Sequence, residues 1–205
     1  REAGPHDKVC GEFLSFEAVD SLRSLGLEPL DLGAVPIDTL SVCIGARRSR
    51  SALPFTALSL SRRVLDAALL ERAAAAGASV RRGVRATGAN RLGDGWIVRT
   101  ASGEIAASEV FLATGKHDLK GAKRPPGRQN DLVGFKQHLR LAGPLGPEVE
   151  LHLFAGGYAG LEPAEAGLAN ATAALASSTA AASVRWPNNF RVAPIKHNPV
   201  PSWRG

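Results

Sequence analysis

The stretch that most constrains the fold is LSLSRRVLDAALLERAAAAGASV, residues 58–80. Ser61 is a candidate N-cap, and the apolar residues after it recur at intervals of three and four, which predicts an amphipathic helix. Gly77 can adopt the left-handed conformation that ends a helix. A strand is predicted to start at Ser79, and a helix joined to a strand by a tight turn is half of a parallel α/β unit. The pattern therefore predicts a layered fold with helices packed against a sheet.

Alternation of apolar and polar residues predicts most of the remaining elements as strands. A helix precedes them, with Ser15 as its candidate N-cap, and Pro54 suggests that the strand containing it lies at a sheet edge. Asp-Gly and Ser-Gly pairs favour tight turns within a meander of three strands. The predicted elements are a helix over 13–25, a hairpin of 37–46 and 51–58, meander strands 80–89, 95–100 and 103–107, and strands 133–141, 149–154 and 157–161.

Two later segments differ in character from these strands. Residues 109–115, EVFLATG, form a continuous apolar run closed by small residues, which predicts a buried parallel strand. Residues 168–182 are mostly Ala, Ser and Thr, and residues 185–205 are rich in Pro and Asn. Because this composition supplies little bulk for a core, residues 168–205 are predicted to form a weakly ordered tail.

Charge and cysteine content argue against several classes of function. The net charge of +6 comes from arginines and lysines that have no neighbouring aromatic residues for stacking bases, which disfavours a nucleic-acid binder. No window is long and apolar enough for a membrane helix, and the first residues lack a secretion signal. Cys10 and Cys43 are far apart, with no histidine spaced to complete a metal site. We therefore expect reduced thiols, no bound metal and a cytoplasmic location.

Four motifs resemble the family of FAD-dependent monooxygenases, halogenases and geranylgeranyl-reductase-like enzymes. They are LSRRVLDAALL with the following AGA in residues 60–78, KVCGE in residues 8–12, ATG in residues 113–115, and FAGGYAG in residues 154–160. The resemblance implies an α/β (α+β) fold with a partial FAD-binding Rossmann-like layer and an antiparallel substrate-domain sheet. It implies FAD as cofactor, NAD(P)H as electron donor and a hydrophobic or aromatic small-molecule substrate.

The resemblance also implies the residues of the site. A glycine lets the backbone approach a flat ring closely, and its amide can donate to a flavin oxygen. Because the flavin carries the chemistry, no catalytic side chain is assigned. For several of these residues an ordinary turn or a solvated arginine is an equal alternative. The cofactor-binding candidates are Cys10, Gly11, Glu12, Arg62, Thr114 and Gly115, and the substrate-binding candidates are Phe135, Phe154, Gly156, Gly157 and Tyr158.

The same resemblance implies a division into domains. Residues 1–36 and 59–131 are assigned to the partial FAD-binding domain, and residues 37–58 and 132–167 to the substrate-domain sheet. No GxGxxG turn is present to bind the pyrophosphate. The chain is therefore expected to begin after the first βαβ unit, as a truncated and inactive form. The alternative is a non-catalytic protein that binds small molecules and has lost FAD.

Overall fold

A computed structural model describes residues 2–115, 117–125, 132–141, 143 and 145–176, which form two compact units. The smaller unit lies within residues 1–6 and 73–130, and the larger within residues 7–72 and 131–205. In chain order the elements are β1 Phe13–Leu14, α1 Phe16–Ser24, β2 Val35–Ile44, β3 Arg47–Ser59, α2 Arg62–Ala75, β4 Ala86–Leu92, β5 Gly95–Thr100, β6 Gly103–Ala107, β7 Leu132–Leu139, β8 Glu148–Phe154, β9 Gly157–Ala164 and β10 Leu168–Ala176.

The larger unit is built on a mixed sheet of seven strands in the order β1-β3-β2-β8-β9-β10-β7. β2 and β8 are parallel, and the other neighbouring strands are antiparallel. A second, three-stranded antiparallel sheet forms in the smaller unit. The predicted α+β class with an antiparallel sheet is therefore confirmed. Among the described residues, no helix is long and apolar enough to cross a membrane.

The predicted hairpin is present as β2 and β3, but its turn lies at residues 45–46, and residues 47–50, predicted to be the turn, belong to β3. An irregularity in this hairpin explains the position of the proline. Ile37 pairs with Ala57, whereas Thr39 pairs with Ala52, so β3 bulges between these two positions. Pro54 lies inside the bulge, where its missing N–H removes no ladder hydrogen bond. β1 pairs with β3 only at residues 58 and 59, so the bulge is also on an unpaired edge, as the sequence predicted.

Both predicted helices form, and their ends follow local signals. The Ser15 side chain accepts from the backbone N–H of Ala18 at 3.5 Å, and the Ser61 hydroxyl accepts from that of Val64 at 3.3 Å. Gly77 has φ of 95°, which ends α2 in the predicted left-handed conformation. The helices pack on the β1 end of the sheet around a buried apolar cluster, whose members are Leu14, Val19, Leu22, Ala34, Leu58, Leu60 and Leu65. Residues 7–36 and 59–72 lie in the same compact unit as the large sheet. The division into an FAD-binding domain and a substrate domain stays a prediction.

The weakly ordered tail predicted from residue 168 is wrong over residues 168–176. These residues form β10, which lies between β9 and β7 and pairs with both. The small side chains that suggested disorder fill one face of this strand, where Ala169, Ala171 and Ala173 are buried. In the interior of a sheet, neighbouring strands supply the bulk that alanine lacks. Residues 177–205 lie outside the described part of the chain.

Two predictions in the smaller unit are also corrected. The first meander strand is β4, which begins at Ala86 rather than at residue 80, because its ladder with β5 ends at the pair of Ala86 with Thr100. The predicted buried parallel strand over 109–115 is not formed, and Phe111 is 88% exposed. A buried parallel strand needs neighbouring strands, and none of the described strands pairs with this segment. The other two meander strands, β5 and β6, have the predicted bounds.

Replacement of Gly157 by alanine tests the packing of β9 on β10. A Cβ at Gly157 would lie 2.3 Å from Ala174 O and 3.0 Å from Leu175 Cα, so one of the two strands must shift. We expect Gly157→Ala to lower the free energy of unfolding, measured with urea, by about 1–3 kcal/mol. In the control Gly146→Ala a Cβ meets nothing within 4 Å, and its expected effect is below about 0.5 kcal/mol. Equal stability of the two variants contradicts the close contact.

Candidate functional site

The candidate site is built where the turn at Cys10, Gly11 and Glu12 meets the start of α2. Leu60 N–H donates to Glu12 O at 3.1 Å, and Arg62 N–H donates to Glu12 Oε1 at 2.9 Å. Arg62 Nη1 also lies 3.9 Å from the Cys10 sulfur. The four residues that the resemblance marked in these two segments, Cys10, Gly11, Glu12 and Arg62, are therefore adjacent in the larger unit. Their role in binding a cofactor stays a prediction.

The Glu12 carboxylate is the centre of this arrangement, and its residue is only 2% exposed. Besides Arg62 N–H, the Lys136 ammonium contacts Oε1. His138 Nε2 lies 2.9 Å from Oε2, where a protonated ring nitrogen donates. Burial alone would raise the pKa of Glu12, but the hydrogen bonds from His138, Lys136 and the Arg62 amide outweigh it and lower the pKa. Glu12 is thus a buried anion held by three groups from two parts of the chain, the start of α2 and β7.

The backbone of Glu12 is strained, with φ of 59°. A non-glycine residue in this left-handed region is uncommon, and such strain persists only where surrounding contacts hold it. In this turn the left-handed residue is Glu12 itself, and its carboxylate makes the bonds that hold it. The shape of the turn and the burial of the carboxylate therefore depend on each other.

Arg62 is held on its helix by a second ion pair. Its Nε and Nη2 donate to Asp66 Oδ1 at 2.9 and 2.7 Å, one helical turn further on. The Lys8 ammonium contacts the other oxygen of Asp66. Burial alone would raise the pKa of Asp66, but the hydrogen bonds from Lys8 and Arg62 outweigh this effect, and the pKa is lowered. The guanidinium, whose side chain is 35% exposed, is thereby positioned beside the turn with part of its surface open to solvent.

A buried glutamate and a buried asparagine lie on the other side of the turn. Glu162 in β9 and Asn170 in β10 face each other in the ladder, and Asn170 Nδ2 donates to Glu162 Oε1 at 2.9 Å. Burial raises the pKa of Glu162 to about 8, and the nearby Glu12 charge adds to this effect, although Asn170 and Lys136 oppose it. Glu162 is therefore protonated at neutral pH, as suits a carboxyl group beside a second buried carboxylate.

The predicted substrate residues divide between the two faces of the sheet. Tyr158 pairs with Ala174, whereas Phe135 pairs with Ala173, so their side chains point to opposite faces. Phe154, paired with Gly157, shares the face of Phe135. That face carries the apolar clusters around Leu139, Leu161, Ala169 and Ala171 and around Ala159, Ala173 and Leu175. Tyr158 lies on the face of the Glu12 network, so the three aromatic residues do not line one surface.

The remaining predicted residues have local structural explanations or lie in the other unit. Gly156 forms the β8–β9 turn with φ of 81°, and Gly157 is required by the close approach of β10. Thr114 and Gly115 lie in an exposed segment of the smaller unit, where Arg124 Nη2 donates to Gly115 O at 2.7 Å. Their roles in binding stay predictions.

One group of side chains has the composition of a metal site. Asp7, Glu12 and His138 each offer a ligand atom, and these atoms lie within 4.8 Å of one another. However, the Lys136 ammonium already contacts Glu12. A divalent cation beside this ammonium is electrostatically unfavourable. The arrangement fits an ion-pair network better than a metal site.

Four residues of the network were not identified from the sequence, although one signal pointed to two of them. Lys136 and His138 fall on the same side of the alternation in strand 133–141, which puts two basic groups on one face of a strand. That signal indicates a nearby acid. Glu162 lies next to the FAGGYAG motif, and Asn170 lies in the segment predicted to be a tail, so neither carried a signal of its own. The missed residues are Lys136, His138, Glu162 and Asn170.

Removing Lys136 tests whether the buried charge of Glu12 depends on its partners. The Lys136 side chain is 5% exposed and that of Glu12 is 0% exposed. Lys136→Met leaves the anion buried with fewer donors, and we expect the free energy of unfolding to fall by roughly 3–5 kcal/mol. The double variant Glu12→Gln, Lys136→Met should lose less than the sum of the two single variants. Additive losses in urea denaturation contradict the coupling.

Glu162→Gln tests the neutral state of Glu162. The folded pKa of about 8 lies above the ordinary value of 4.5. At a pH between 4.5 and about 8, Glu162 has lost its proton in the unfolded chain and keeps it in the folded chain. The contribution of Glu162 to the free energy of unfolding is therefore greatest below pH 4.5 and falls as the pH rises towards 8. The wild type should lose roughly 1.4 kcal/mol per pH unit over this window through Glu162. Glu162→Gln should lack this component, so that equal slopes of unfolding free energy against pH contradict the assignment.

Comparison with solved structures identifies the fold. No protein-family model matches the chain, and no curated protein matches its sequence. A myxobacterial chondrochloren halogenase, a variant of FAD-dependent halogenases, matches with TM-score 0.71 and 19% identity, over 89% of this chain and 47% of that one. A flavoprotein/dehydrogenase from Cytophaga hutchinsonii matches with TM-score 0.71 and 15% identity, over 90% and 50%.

A peptidyl tryptophan dihydroxylase matches with TM-score 0.59 and 24% identity, over 82% of this chain and 37% of that one. The chain thus spans half or less of the length of each of these three structures. The fold that the sequence motifs predicted is confirmed: the chain has the fold of the FAD-dependent halogenases and related flavoproteins over the part that it spans.

Proposed function

We propose that the protein is an FAD-dependent oxidoreductase that acts on a hydrophobic or aromatic small molecule, with NADH or NADPH as electron donor. The shared fold supports the cofactor class, and the turn of residues 10–12 beside Arg62 supports the place where the flavin binds. A bound flavin supplies the redox chemistry, while the chain's own residues bind it, orient it and exclude water.

This proposal depends most on the backbone conformation and the open surroundings of Gly11. Its φ lies outside the left-handed region, and a Cβ built on it would meet nothing within 4 Å. Neither strain nor internal crowding among the described residues therefore requires a glycine at this exposed position. A flat ring lying against the backbone does require one, because a side chain would hold the ring away. Gly11 thus fits a surface that a flavin approaches.

The contacts divide the neighbouring residues between binding and support. Cys10 is partly exposed, and Arg62 keeps part of its guanidinium open, so both can face a bound flavin. The Glu12 carboxylate is turned inward and fully engaged, so it supports the turn rather than touching the ring. Tyr158, on the face of the Glu12 network and 46% exposed, is the substrate candidate that this face retains.

Titration of FAD into the natural full-length protein, followed by flavin fluorescence, tests the proposal. Gly11→Ala should weaken binding roughly five- to 150-fold, because one added methyl group in a close contact costs about 1–3 kcal/mol. Its free energy of unfolding should stay within about 0.5 kcal/mol of the wild type. Gly146→Ala adds a methyl group to equally open space and should change neither quantity.

Two results overturn the proposal. Equal FAD affinity of the wild type and Gly11→Ala removes the assignment of this turn to the flavin. A wild-type protein that binds no FAD, but binds an apolar small molecule tightly, favours a non-catalytic binding protein with the same fold.

A further inference from the structure

Asn170 is a buried polar residue that is not among the proposed flavin-binding residues. It lies in β10 and is 1% exposed, and its Nδ2 donates to Gly11 O at 3.2 Å and to Cys10 O at 3.4 Å. The same nitrogen donates to Glu162 Oε1 at 2.9 Å. A strand residue far along the chain thus binds the backbone of the turn that is proposed to meet the flavin.

These contacts matter because the turn belongs to no strand or helix at these two residues. Carbonyl groups outside a regular ladder need donors from elsewhere when they are removed from water. The side-chain amide of Asn170 supplies such donors, and its two hydrogens are shared among three acceptors. Its orientation is determined as well, because a flipped amide would set its oxygen against the two carbonyl oxygens.

The turn is therefore held on two sides. The Glu12 carboxylate ties its end to β7 and to the start of α2 through Lys136, His138 and the Arg62 amide. Asn170 ties its beginning to β10. The carbonyl of Gly11 is held by Asn170, whereas its Cβ position faces open space into which a ring can fit. Movement of the Cys10 and Gly11 carbonyls by a fraction of an ångström would change the surface that the ring meets.

The protonation state of Glu162 affects how strongly Asn170 binds the turn. Glu162 Oε2 and Asn170 Oδ1 are both buried, and the described residues supply neither with a hydrogen-bond partner. A protonated carboxyl group can donate where a carboxylate cannot. Neutral Glu162 attracts the amide hydrogens of Asn170 less strongly than a carboxylate anion would. These hydrogens are therefore more available to the carbonyl groups of the turn.

We propose that Asn170 is a positioning residue of the flavin site, whose side-chain amide holds the Cys10 and Gly11 carbonyls and thereby shapes the surface that the flavin contacts. This inference rests on the proposed function for the identity of the ligand. It concerns a residue that touches the turn and not the ring, so its loss changes how well the flavin fits and not the redox chemistry itself.

The test compares Asn170→Ala with Thr172→Ala in the natural full-length protein. Thr172 lies two residues along the same strand, on the same face, and pairs with Gly160 and Lys136 rather than contacting the turn. Amide hydrogen exchange over residues 10–14, measured without FAD, should accelerate roughly three- to tenfold in Asn170→Ala. The dissociation constant for FAD should rise by a similar factor, and the visible spectrum of bound flavin should shift. Thr172→Ala should change none of these.

The outcomes separate this inference from the proposed function. Unchanged exchange over residues 10–14 in Asn170→Ala shows that the amide does not hold the turn. Faster exchange with an unchanged FAD affinity and spectrum shows that the turn is held but does not shape the flavin surface. Either result overturns the inference while wild-type FAD binding keeps the proposed function. If the wild type binds no FAD, the proposed function and the flavin role of Asn170 both fail.

A second variant covers the case in which Asn170→Ala does not fold. Asn170→Ser keeps a polar group beside Glu162 but is too short to reach both carbonyls, so it should show the same changes in exchange and affinity with a smaller loss of stability. Wild-type behaviour of a folded Asn170→Ser overturns the inference.

Discussion

The structure of the larger unit depends on one buried anion, the carboxylate of Glu12. A buried charge is costly unless it is paired and hydrogen-bonded, and an unpaired one commonly costs several kcal/mol. Here the partners are the Arg62 N–H at the start of α2 and the Lys136 and His138 side chains of β7, which lies far along the chain. Satisfying the charge therefore fixes a short irregular segment against both a helix and the large sheet. It also stabilises the left-handed backbone of Glu12.

The large sheet separates this chemistry from its apolar packing. On one face, alanines and leucines of β9 and β10 form the buried clusters, whereas the alternate residues of the same strands carry Glu162 and Asn170. The period of two in a strand makes this possible, since each strand contributes to both faces. A sheet of this kind can be stable through one face and present a defined polar surface on the other. The proposed flavin turn is attached to the polar face.

Much of the fold could be predicted from the sequence because its signals are local. Serine caps, a helix-ending glycine and Asp-Gly turns act within a few residues, and the helices and the meander follow them. β10 was missed because alanine signals nothing by itself and gains its place only from the neighbouring strands β7 and β9. The strand predicted over 109–115 failed for the converse reason, since an apolar run forms a strand only when partners flank it.

The candidate site, too, could be predicted only where local sequence signals indicate it. Cys10, Gly11, Glu12 and Arg62 carried motifs and are adjacent, whereas Lys136, Glu162 and Asn170 join them only through the register of the sheet. No pattern of spacing indicates that residue 170 contacts residue 11. Aromatic character was a poor guide as well, because Phe135 and Tyr158 occupy opposite faces. Residue type suggested a substrate surface, and the strand register decided which residues share it.

A crystal structure of the protein with FAD tests the proposed flavin site most directly. We expect the isoalloxazine ring to contact the backbone at Gly11, with the Arg62 guanidinium beside it and the Glu12 carboxylate still buried among its three partners. Flavin bound elsewhere in the larger unit, or a turn whose Glu12 carboxylate swings out to meet the ring, contradicts this expectation.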